Sequence, residues 1–103
     1  MKKIINGKVY NTETAECIAD ENRSLYDFHS TSEALYRTAR GNWFLHGESS
    51  SGGRYSKWVG NSCGGGEDIQ ALTPAQVVEW AEQARINDDD VAQITELLQL
   101  PEA

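Results

Sequence analysis

Apolar positions change period along this chain. Up to about residue 48 they alternate or sit in short runs; from Thr73 onward they recur every three or four positions. The first spacing fits strands, where alternate side chains share a face, and the second fits helices. In "KKIINGKVY", Ile4 and Ile5 precede Asn6-Gly7, and Val9 and Tyr10 follow. Asn-Gly suits the two positive-φ positions of a type I′ turn, whose twist matches the strands it joins, so this block predicts a hairpin. "NTETAECIADENRS" fits two periods. Ala15, Cys17 and Ala19 alternate as in a strand, whereas Ala15, Ile18 and Ala19 fit one helix face that Asn11 or Thr12 would cap. The preferred reading is a turn at Asn11 to Thr14 and then a short strand to about Glu21.

"EALYRTARGNWFLHGE" predicts the central hairpin, with Arg40-Gly41 at its turn and Tyr36, Trp43, Phe44 and Leu45 supplying much of the sheet's packing. The 22 residues from Gly47 to Asp68, "GESSSGGRYSKWVGNSCGGGED", hold seven glycines and five serines. Such a stretch buries too little apolar area to offset its backbone entropy, except around Tyr55, Trp58 and Val59. It reads as a long loop pinned by those side chains. "DIQAL" then returns to the sheet as an edge strand.

Thr73 is an N-cap, Pro74 takes the first helical position and Gln76 completes a capping box. Val77, Trp80, Ala81 and Ala84 form the buried stripe of this helix, with Gln76, Glu79, Glu82 and Gln83 facing away. Asn87 caps a second helix. Asp88, Asp89 and Asp90 fill its first turn, where the helix dipole favours negative charge. Its expected stripe is Val91, Ile94, Leu97 and Leu98, and Pro101 is expected to end it. The predicted fold is α+β: an antiparallel sheet of three to five strands followed by a C-terminal helical pair packed on one face. Residues 1–103 are read as one domain, with hairpins over 1–48, a Gly/Ser-rich loop over 49–68 and two acidic helices over 73–100.

Charge sharpens this picture. The net charge is −7, and residues 67–103 carry nine acids and one base, hence −8. The rest of the chain, with seven acids and eight bases, is at +1. An acidic surface repels nucleic acid and favours basic partners. Apolar runs of four residues or fewer exclude a membrane-spanning helix, and "MKKIINGKVY" lacks the apolar core of a secretory signal, so a cytoplasmic protein is expected. Cys17 and Cys63 are then expected to be free thiols.

No catalytic set emerges. Cys63 with His29 or His46 would supply a nucleophile and a base, but "GNSCGGGED" shows nothing that activates a thiol. His46 and Glu48 in "HGE" are more simply a strand end with one ring nitrogen hydrogen-bonded. The glycines near Cys63 lack the order of a phosphate-binding loop, and Glu67-Asp68 would repel phosphate. Asp88 to Asp90 lack the alternating ligands, mid-loop glycine and closing glutamate of a calcium loop. Arg40, Arg54 and Lys57 beside aromatics could hold single-stranded nucleic acid, but the chain lacks a basic footprint. Arg54, Tyr55, Lys57 and Trp58 are the second choice for partner contact, since tyrosine, tryptophan and arginine anchor interfaces. No cofactor or metal is expected.

"KKIINGKVYNTETAE", "ALYRTARGNWFLHGE" and "SKW", with a glycine-rich loop leading to "IQALTPAQVVEWAE", resemble a family of short, mostly uncharacterised proteins carried by bacterial phages, plasmids and other mobile elements. The likeness extends to about Glu82, and the second helix lies outside it. The resemblance implies a counter-defence role of the anti-CRISPR type, inside a bacterial host. The expected mechanism is stoichiometric and not enzymatic. Glu79, Glu82, Asp88, Asp89, Asp90 and Glu96 would occupy a basic channel of a CRISPR effector complex in place of phosphates. No direct contact with nucleic acid or membrane is expected, and self-association through a sheet edge is an open alternative. The alternative function is a small-molecule or nucleotide-binding module, with the loop from Glu48 to Asp68 closing over the sheet.

Overall fold

A computed structural model describes residues 1–23, 31–49, 57–59, 62–64, 66–84 and 86–103. The chain opens with the hairpin β1 (Lys2–Ile5) and β2 (Lys8–Asn11), paired from Lys2↔Asn11 to Ile5↔Lys8. Asn6 and Gly7 take φ of 52° and 76°, as a type I′ turn requires. A turn follows, closed by the amides of Thr14 and Ala15 on the Asn11 carbonyl.

β3 (Glu16–Arg23), β4 (Thr31–Arg37), β5 (Trp43–Ser49) and β8 (Gly66–Leu72) form an antiparallel sheet in the order β3-β4-β5-β8. β6 (Lys57–Val59) and β7 (Ser62–Gly64) pair as a separate hairpin within the expected glycine-rich loop. The four strands fall within the expected three to five. The first hairpin does not join them; it forms its own two-stranded sheet.

The sheet separates two apolar clusters. In one, Ile18, Ala19, Leu35, Trp43 and Leu45 pack with Val77, Trp80 and Ile94 of the helices. In the other, Phe44 and Ile69 pack with Tyr10 of the first hairpin, and Ile5, Ala15, Tyr36 and Ala71 complete the layer. Adjacent β5 residues therefore serve opposite faces: Trp43 and Leu45 the helices, Phe44 the hairpin. Phe44 meets Tyr10 edge-on at 5.5 Å and stacks on Tyr36 at 5.1 Å.

β3 departs from simple alternation. Cys17 lies opposite Tyr36 and Ala19 opposite Leu35, so Ile18 is an extra residue in a bulge. Ile18 and Ala19 consequently enter the same cluster, while Ala15 belongs to the other face. The regular Ala15–Cys17–Ala19 alternation does not survive, although the turn and strand do.

α1 (Pro74–Gln83) and α2 (Asp88–Leu98) cover one face of the sheet. The Gln76 amide donates to Thr73 Oγ1 at 3.2 Å and the Thr73 amide donates to Gln76 Oε1 at 2.9 Å, completing the capping box. Asn87 Oδ1 accepts from the Asp90 amide at 2.8 Å. The buried stripe of α1 is as expected. That of α2 is narrower: Ile94 is buried and Leu98 packs on the core, but Val91 and Leu97 are 46% and 36% exposed. Ile94 and Leu98 lie on a line of every fourth residue that begins at half-buried Asp90, and a helix packed along one line leaves its flanks in solvent. Gln99, in the left-handed region at φ 55°, ends α2 two residues before Pro101. No helix among the described residues is long and apolar enough to cross a membrane.

Candidate functional site

The expected acidic face divides between two places. α2 packs against β3 at one side of the sheet and α1 against β8 at the other. Three strand spacings separate β3 from β8, about 14 Å. Glu79 lines a groove on the β8 side with Gln70, Gln76, Trp80 and Gln83. Glu82 is exposed on the same helix, and Asp88, Asp89 and Glu96 are exposed on α2. Asp90 is half-buried.

Around Asp90 the acids of two elements meet. Burial raises the pKa of its carboxyl, and the charges of Asp20 on β3 and Asp89 push it the same way. The Cys17 thiol is raised by burial, then by Asp20 and Asp90, against a smaller lowering effect of the Ala19 backbone. Tyr36 is also raised, first by burial and then by Cys17 and Asp20. Three groups on three elements thus feel one negative field at the β3 edge. Asp20 is its common member. Sequence reading missed it because pairing, and not spacing along the chain, brings β3 beside the first turn of α2.

This arrangement makes Cys17 a poor nucleophile. A thiol whose pKa is raised supplies little thiolate at neutral pH, and the thiolate is the nucleophile. Cys17 is free. Among the described residues, no group of three or more His, Cys, Asp or Glu side chains is arranged to hold a metal ion.

The remaining candidates divide between the sheet and the loop. His46 Nε2 lies 3.0 Å from Glu67 Oε2, across the β5–β8 pair, so its partner is an acid of β8 and not Glu48. His29, Arg54 and Tyr55 lie outside the described residues. Lys57 and Trp58 belong to β6 and Cys63 to β7, where the backbone pairs Trp58 with Cys63. Within the loop expected to close between Glu48 and Asp68, residues 50–56, 60, 61 and 65 lie outside the described residues.

A second feature was also missed. Glu21 and Glu33 face each other across β3 and β4, each 2% exposed. Both have interaction partners, which a buried carboxylate needs to offset its desolvation. Their inward positions follow from the bulge: once Ala19 and Leu35 are paired inward, the residues two further along β3 and two earlier along β4 point the same way. The sequence signal was an acid at alternating distance from a core residue in each of two neighbouring strands.

The fold and site define an α+β protein with a two-helix layer on an antiparallel sheet and an acidic field at one sheet edge. No family model matches the chain, and neither a curated protein nor a solved structure shows significant similarity to it.

Proposed function

We propose that this protein is a non-enzymatic binding protein of a mobile element, a counter-defence inhibitor that engages a basic, nucleic-acid-holding channel of a host CRISPR effector complex. The observation that carries the reading is the meeting of Asp20 on β3 with Asp89 and Asp90 in the first turn of α2, where burial first, and the neighbouring charges after it, raise the Asp90 pKa. Crowded like charges are costly in isolation and are relieved by a cationic partner. Asp88, beside them in the same helical turn, extends the patch. Glu79 and Glu82, on the helix packed at the other side of the sheet, play a smaller part.

Two charge-neutral variants test this. In one, Asp20, Asp88, Asp89 and Asp90 become Asn; in the other, Glu79 and Glu82 become Gln. The first loses binding to the purified effector while keeping the circular dichroism of the wild type, and the second retains most of it. Equal binding by the first variant and the wild type overturns the reading.

A further inference from the structure

A cleft of about 660 Å³ opens between the first hairpin and the turn joining β4 to β5. It is lined by Gly7 to Asn11 and Thr14 on one side and by Thr38, Ala39, Arg40 and Asn42 on the other. Its volume falls within the roughly 300–1,000 Å³ typical of small-molecule sites. It lies at the Trp43 end of β5.

The lining has an unusual charge for this molecule. The chain contains 16 acids, yet among the described residues none lines the cleft, whereas Lys8 and Arg40 do. Both side chains are exposed, and neither forms an ion pair among the described residues. The neighbouring polar groups are poised as donors. Asn11 Oδ1 already accepts from the Glu13 amide at 2.9 Å, which leaves its NH₂. Thr38 Oγ1 already accepts from the Asn42 amide at 3.0 Å, which leaves its O–H. The far wall is held by backbone hydrogen bonds: the Thr38 amide donates to the Asn42 carbonyl at 2.8 Å and the Gly41 amide to the Thr38 carbonyl at 2.9 Å. Val9, 61% exposed, and Ala39 add apolar surface next to these donors.

We infer that this cleft binds a small organic anion, with a phosphate or carboxylate head held by Lys8 and Arg40 and an apolar body against Val9 and Ala39. Donors without a competing acid are what such a head group requires. The site is independent of the acidic edge and shares no residue with it.

The test is an amide NMR titration of the whole protein with phenyl phosphate, benzoate and, as the neutral control, benzyl alcohol. Saturable shifts confined to residues 7–14 and 38–42 are expected with an anion and not with the alcohol. Saturation by phenyl phosphate alone assigns phosphate esters, and by benzoate alone carboxylates; both support the site. Lys8→Gln and Arg40→Gln, which remove exposed side chains outside the core, each weaken binding about tenfold, the effect of losing one charge-assisted hydrogen bond. The inference is overturned if neither anion gives saturable shifts there, if benzyl alcohol binds as well, or if the double variant binds like the wild type.

Discussion

The two edges of the four-stranded sheet treat aspartate in opposite ways. At β8, Asp68 accepts from Lys3 Nζ at 2.7 Å and from the Ile69 amide at 2.9 Å, while Lys3 also reaches the Ile69 carbonyl at 3.3 Å. Lysine and aspartate together occupy backbone groups that would otherwise be open to another strand. At β3, a bulge interrupts the edge, and Asp20 and Asp90 face each other's charge with Cys17 nearby. One edge is closed by internal pairing. The other concentrates negative charge, and a concentration of this kind is what an external cation would find. The difference shows why the number of acids in a chain says little until their partners are known.

The comparison is broken most severely through the core that holds the edges in place. Leu35 and Phe44 are both fully buried, Leu35 in the helix-side cluster and Phe44 in the hairpin-side cluster. Leu35→Ala should cost roughly 2–5 kcal/mol and Phe44→Ala roughly 3–5 kcal/mol in urea unfolding. Hydrogen exchange separates them: Phe44→Ala exposes the amides of β1 and β2 first, and Leu35→Ala those of α1 and α2. The same exchange pattern in both variants would show that the two layers do not respond separately.

Gly41→Ala comes next. Gly41 has φ +86°, and an added Cβ would meet Arg37 Nη2 at 3.2 Å, disturbing a guanidinium that lies 5.7 Å from the Trp43 ring centre. The backbone alone makes this cost about 1–2 kcal/mol. Thermal unfolding unchanged from the wild type would contradict it.

Local signals were the legible ones. Asn6-Gly7, Thr73-Pro74-Gln76 and Asn87 each act within a few residues, and each does in the structure what its chemistry predicted. The packing expected of Tyr36, Trp43, Phe44 and Leu45 also carried through, divided between two faces because neighbouring side chains on a strand must take opposite ones. What lay beyond the sequence was decided by pairing between distant segments. The bulge at Ile18 changed which β3 residues face inward, hence Glu21, and the docking line of α2 left Asp90 half-buried and Val91 exposed. The acidic helices were therefore readable as a feature, but their division between two sides of the sheet, and the role of Asp20, were not.

Smaller effects sharpen the contrast between the edges. Lys3→Ala should lower stability by less than about 1 kcal/mol, since the pair with Asp68 is 40% and 51% exposed. Its clearer consequence is a greater tendency to self-associate as the β8 edge opens, read by sedimentation. A monomer at every concentration would show that Lys3 does not guard that edge.

Cys17 reports on the opposite edge. Its raised pKa keeps the thiol protonated at neutral pH, so alkylation by iodoacetamide should be slow and should accelerate only as pH climbs past the ordinary cysteine range. Asp20→Asn removes the larger of the two charge effects, lowers the thiol pKa and moves the rate profile to lower pH; Asp90→Asn does so less. Identical profiles in wild type and both variants would mean that no shared field exists at this edge.

The most direct test of the central claim is competition on a purified CRISPR effector complex. Immobilised protein is offered the effector with increasing duplex DNA, across a range of salt. The account predicts that DNA displaces the protein, that binding falls steeply with salt, and that neutralising Asp20, Asp88, Asp89 and Asp90 abolishes capture. Absence of capture, or capture indifferent to DNA, to salt and to those four substitutions, would contradict it.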